Sequence, residues 1–96
     1  MQENPAISAT EALIRRAFPE GVGDEHYWAL LAFLEPHFSQ RNLATVMELV
    51  SHKSYPEAYN DGLAIESNSV SVPATQIEMI AERLRPVGLE DWLKIK

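Results

Sequence analysis

The chain has 96 residues, no cysteine, and 14 Asp and Glu against 8 Lys and Arg, for a formal net charge of −6 at pH 7. That length holds one hydrophobic core, and the missing thiols exclude disulfide frameworks, Cys-ligated zinc, iron–sulfur clusters and thiol catalysis. The acidic balance repels nucleic acid and anionic membranes in the bulk.

Residues 1–7 read as a flexible polar lead-in, and residues 8–96 as a single helical domain. The start, Met1-Gln2-Glu3-Asn4-Pro5, lacks the basic and apolar regions of a signal peptide. The longest apolar run, Tyr27 to Leu34, falls far short of the roughly 20 residues of a membrane helix. A cytoplasmic chain with no membrane association is the expectation.

Ser8-Ala9-Thr10-Glu11 has the spacing of a capping box, which predicts a first helix from Ser8. Ala9, Ala12, Leu13, Ala17 and Phe18 lie along one side of it, and Glu11 and Arg15 form an i,i+4 pair. Pro19, Gly21 and Gly23 end it. Asp24 is a suitable N-cap for a second helix over about 24–35. Tyr27, Trp28, Leu30, Leu31, Phe33 and Leu34 make that helix apolar all round, which predicts a central position. Pro36 stops it.

Ser39 caps a third helix over about 40–52, with Leu43, Val46, Met47 and Val50 at helical spacing and a Glu48–His52 pair on its flank. A shorter helix fits Ser54 to Glu66. Ala58, Tyr59, Leu63 and Ile65 give it an imperfect stripe, and Gly62 costs it about 1 kcal/mol against Ala. Val70 and Val72 alternate with serines, but no partner strand is evident, so 67–72 reads as a loop and a joint. Pro73 opens the last long helix, whose buried stripe is Ile77, Ile80, Ala81 and Leu84. Pro86 and Gly88 end it, and a turn over Leu89–Leu93 folds Trp92 and Leu93 back onto the core. The fold class is all-α: a compact bundle of four to five short helices around the helix at about 24–35.

Several of these segments together carry a family likeness. They are the amphipathic first helix, the Phe18-Pro19-Glu20-Gly21-Val22 turn and the Leu-rich Ala29–Leu34 stretch. The Ser39 cap, the spacing from Ile65 to Pro73 and the closing Arg83-Leu84-Arg85-Pro86-Val87-Gly88-Leu89 complete them. In this order they resemble the small helical family known as domain-of-unknown-function family 3349, found mostly in actinobacteria. Leu89 stands where that family has a tryptophan. The resemblance implies a small helical fold and carries no assigned activity.

Chemistry-bearing constellations are sparse. His26, His37 and His52 are not at i,i+3 or i,i+4 to one another. A zinc site assembled in space with Asp24 or Glu25 would need three or four clustered ligands, so histidines at helix ends are the simpler account. Asp24-Glu25 sits where a helix dipole stabilises negative charge. The serines lack a nucleophile elbow, and no glycine-rich phosphate loop is present. No catalytic residue, cofactor or metal ligand is assigned. Phe38 to Ala44 resembles the opening of a helix-turn-helix. A basic second helix does not follow, and Lys and Arg are outnumbered by Asp and Glu in both halves of the chain.

The expectation is a non-enzymatic protein–protein interaction module, as a possible homodimer or with a basic protein partner. Trp28, Tyr55, Tyr59 and Trp92 are its candidate partner-binding residues, because tyrosine and tryptophan left at a surface favour partner contacts. The alternative is a nucleic-acid-binding or regulatory domain using a local patch of Arg15, Arg16 and Arg41.

Overall fold

Asn4 and Pro5 start the first helix one turn earlier than Ser8 would. In the computed structural model, which describes residues 4–95, α1 spans Pro5–Ala17. The Asn4 side chain accepts from the Ala6 and Ile7 amides, and Pro5 occupies a first-turn position where its missing N–H is no loss. Ser8 therefore lies inside the helix, and the expected capping box at Ser8 is not formed. Residues 5–7 of the expected lead-in are helical, and residues 1–3 lie outside the described residues.

The remaining helices are α2 (Asp24–Leu34), α3 (Gln40–Val50), α4 (Tyr55–Glu66), α5 (Ala74–Leu84) and α6 (Leu89–Ile95), with 3-10 turns at Glu35–His37 and Arg85–Val87. The fold is all-α, as expected, and the sixth helix is the segment read as a turn. Gly23, not Asp24, is the N-cap of α2, and Asp24 and Glu25 occupy its first turn. Ser39 caps α3 through the Asn42 amide. That helix ends at Val50, so His52 lies beyond it, and Glu48 accepts instead from the Tyr55 amide at 3.3 Å. A true capping box occurs at Ser54 and Glu57, opening α4. Residues 67–73 join α4 to α5 without a strand, and Asn68 takes the left-handed conformation at φ 64°.

The second helix is central: it packs on α3, α4 and α5 and buries Tyr27, Ala29, Leu30, Leu31 and Leu34. The first helix packs against α3, α5 and α6. Phe18 ends α1 inside the core, with the Arg83 guanidinium 4.1 Å from its ring centroid and the Arg83 Nε donating to the Ala17 carbonyl. The following turn is tied to the end of α3, where the Val22 amide donates to the Val50 carbonyl. Gly88, at φ 119°, supplies the left-handed residue that turns the chain into α6.

The last helix closes the core with Trp92, which is 2% exposed. The Trp92 indole Nε1 donates to Thr10 Oγ1 at 2.6 Å, and Thr10 Oγ1 donates in turn to the Ala6 carbonyl at 2.6 Å. Every polar atom of this buried pair is thus satisfied. Phe33, His37 and Phe38 surround the indole ring. Leu93 does not fold back with it and is 42% exposed. Among the described residues, no helix is long and apolar enough to cross a membrane.

Candidate functional site

The fourth helix turns its small residues inward. Ala58 and Gly62 are buried against the rest of the fold, and α3 and α4 form its most extensive helix pair. The approach is close. A Cβ added at Gly62 would meet Gln40 Oε1 at 2.3 Å and Leu43 Cδ2 at 3.2 Å. At about 100° per residue, Pro56, Tyr59, Asn60 and Leu63 share the opposite face. They stand at i, i+3, i+4 and i+7, the spacing of a buried stripe, yet Leu63 is 38% exposed and Pro56 and Asn60 are exposed too. The imperfect stripe read from the sequence is therefore two stripes, one facing the core and one facing out.

Beside the outer face lies a shallow, widely open groove lined by Arg41, Tyr55, Pro56, Tyr59 and Asn60. The Tyr55 and Tyr59 rings stack at 6.1 Å between centroids with 27° between planes. Both are half-buried. The groove thus brings together two partner-binding candidates and one member of the proposed arginine patch.

The other arginines of that patch are elsewhere and occupied. Arg15 holds Glu11 and the Leu49 carbonyl, and Arg16 donates to the Val87 carbonyl. Arg83 is bound to Ala17 and Phe18, and Arg85 pairs with Glu82. Among the described residues, the Arg41 guanidinium alone of the five makes no ion pair or side-chain hydrogen bond. Arg15, Arg16 and Arg41 therefore do not converge on one anion-binding surface.

Of the remaining candidates, Trp28 is half-buried and packs edge-on against Tyr27. It does not line the groove. Trp92 is a core residue, so its expected surface role is corrected. Leu63, Pro56 and Asn60 were missed as surface residues. The signal that could have found them was their helical spacing on the side opposite Ala58 and Gly62.

A second cleft, of about 290 Å³, lies between α2 and α5 and is lined by His26, Glu25 and Arg83 together with Ala29, Gln76, Met79 and Ile80. His26 rests against the Phe18 ring, with 5.3 Å between centroids. No group of three or more His, Asp or Glu that could hold a metal gathers among the described residues.

Three titratable groups among the described residues are shifted, all structurally: Arg85 is raised by its pair with Glu82, and Tyr27 and Glu57 carry the other two shifts. The Tyr27 hydroxyl is pushed well above the usual phenol range, first by burial and then by its hydrogen bond to Asp61. The exposed Glu57 carboxylate is held below its usual value by the Ser54 amide and hydroxyl. None of them belongs to a nucleophile–base pair. What the Tyr55–Tyr59 groove offers is flat apolar faces, an amide and a lone guanidinium, which is the chemistry of binding.

Compared with known proteins, the chain matches no family model, no curated protein and no solved structure.

Proposed function

We propose that this chain is a small non-enzymatic protein–protein interaction module that docks through the outward face of α4. The supporting observation is the arrangement of that helix. Its smallest residues face the core, while Pro56 and Leu63 are exposed on the other side and the half-buried Tyr59, packed against the core by one side of its ring, lies between the two faces. A helix packed on one side only has no use for apolar residues on the other. Tyrosines and an arginine beside them are the residue types enriched at the energetic centres of interfaces. The resemblance to the small helical family adds no activity to this reading, and it stands as a proposal of its own.

Immobilised chain incubated with lysate of the source cells provides the test, with the chain itself counted among the proteins retained. Wild type should retain a defined set, and a Tyr59→Ala/Leu63→Asp variant with an unchanged circular dichroism spectrum should lose it. The same set on both columns would overturn the assignment to α4.

A further inference from the structure

The cleft between α2 and α5 is made by two facing helical stripes that carry both signs of charge at one end and apolar side chains beyond it. We propose that it binds a free α-amino acid with an apolar side chain. Glu25, His26 and Arg83 hold the zwitterionic head, and Ala29, Ile80 and Met79 hold the side chain. The site is separate from the outward face of α4 and stands whether or not that face docks a partner.

Helical spacing lays the cleft out. Gln76, Met79, Ile80 and Arg83 stand at i, i+3, i+4 and i+7 on α5, and Glu25, His26 and Ala29 stand at i, i+1 and i+4 on α2. Phe18 fixes the direction of one stripe against the other. The His26 ring lies 5.3 Å from the Phe18 centroid and the Arg83 guanidinium 4.1 Å from it. The N-terminal end of α2 therefore sits at the C-terminal end of α5, and Glu25, His26 and Arg83 share that end of the cleft. One helical turn back along α5, about 5 Å, the lining is apolar, and Gln76 lies a turn beyond.

Both signs at the charged end have spare capacity. Arg83 is held by its Nε bond to the Ala17 carbonyl, and its two Nη atoms have no acceptor among the described residues. Among the same residues the Glu25 carboxylate accepts no hydrogen bond, and its Oε1 lies 3.9 Å from His26 Nδ1, beyond hydrogen-bond range. A fork of donors next to a free carboxylate matches the carboxylate and ammonium of one amino-acid head. A bare carboxylate would meet Glu25 and the −6 charge of the chain, and a bare amine would meet Arg83. The zwitterion satisfies both groups and is not repelled by the net charge.

The apolar part selects the side chain. Ala29 and Ile80 are buried and form the floor, while Met79 stands at the rim with 66% of its surface exposed. A side chain about one helical turn in reach, such as that of leucine, spans this stretch and covers the methionine. The volume of about 290 Å³ is at the small end of ligand sites. For a ligand of about nine heavy atoms in a cleft open on one side, dissociation in the millimolar range is expected.

Methyl NMR spectra of the intact chain titrated with L-leucine read this directly. The Ile80 and Met79 methyl signals should shift in a saturable way, with half-saturation at about 1–10 mM. Three partial ligands should each bind at least tenfold more weakly: 4-methylpentanoate, which lacks the ammonium, 3-methylbutylamine, which lacks the carboxylate, and glycine, which lacks the side chain. Glu25→Gln, at an exposed position, should weaken leucine binding at least tenfold and leave 4-methylpentanoate binding no weaker than before. The assignment is overturned by the absence of a saturable shift up to about 50 mM leucine, by a partial ligand that binds as tightly as leucine, or by unchanged leucine binding in Glu25→Gln.

Discussion

Tyr27 is the residue at which burial, charge and pH dependence meet. It is 2% exposed, its hydroxyl donates to Asp61 Oδ2 at 2.7 Å, and the Lys53 ammonium lies 5.1 Å from its ring centroid. Burial and the neighbouring carboxylate both disfavour the phenolate, so the folded-state pKa lies above the unfolded one. A group raised in this way contributes stability that is fully present below about pH 10, the unfolded phenol value. That stability is lost as pH rises toward the folded value, at up to about 1.4 kcal/mol per pH unit. Urea unfolding at a series of alkaline pH values should show wild type losing stability faster above pH 10 than Tyr27→Phe does. At neutral pH the same variant should be less stable by about 1–2 kcal/mol, the loss of a hydrogen bond to a charged acceptor that solvent can partly replace. Parallel alkaline slopes would sink this account.

Among the elements, the two Ser-x-x-Glu segments look alike and behave differently. Ser54 and Glu57 exchange hydrogen bonds at the start of α4, whereas Ser8 sits inside α1 because Asn4 and Pro5 open that helix a turn earlier. The capping box needs a chain that is not yet helical at the serine, and Asn4 removes that condition for Ser8. Ser54→Ala should therefore cost about 1 kcal/mol, a fall of roughly 4–8 °C in Tm for a domain of this size. Ser8→Ala, at an exposed position past the cap in the first turn of α1, should change stability by a few tenths of a kcal/mol at most and in the stabilising direction. Thermal melts of the two variants distinguish the caps, and equal losses would show that both boxes form.

At the scale of the whole molecule, α6 locks the two ends of the chain together. The Trp92–Thr10 hydrogen bond spans 82 positions, and the indole fills a space walled by Phe33, His37 and Phe38. Trp92→Ala leaves a cavity and strips Thr10 of its donor, at a cost of about 3–5 kcal/mol. Domains this small are stable by only about 5–15 kcal/mol. The variant should melt at far lower temperature or lose its cooperative transition. Tyr59→Ala, which removes a half-buried ring at the edge of the core, should cost less than Trp92→Ala and keep both its helical signal and a cooperative transition. A Trp92→Ala variant that unfolds like wild type would place the indole outside the core.

The sequence alone determined the helical class, the central place of the apolar segment around Tyr27–Leu34, the Ser39 cap and the loop over 67–72. Each follows from local spacing or from chain chemistry within a few residues. Periodicity also showed that α4 carries apolar residues, but it could not say which of two faces meets the core. The tertiary structure decided that, because only the close approach at Gly62 brings α3 against the small-residue side and leaves Pro56 and Leu63 outside, with Tyr59 at the boundary. Contact across the chain likewise sent Trp92 inward to Thr10 and, among the described residues, left Arg41 alone among the arginines without an acceptor. Burial and pairing depend on what arrives from distant segments, and a single sequence read along its length carries no term for that arrival.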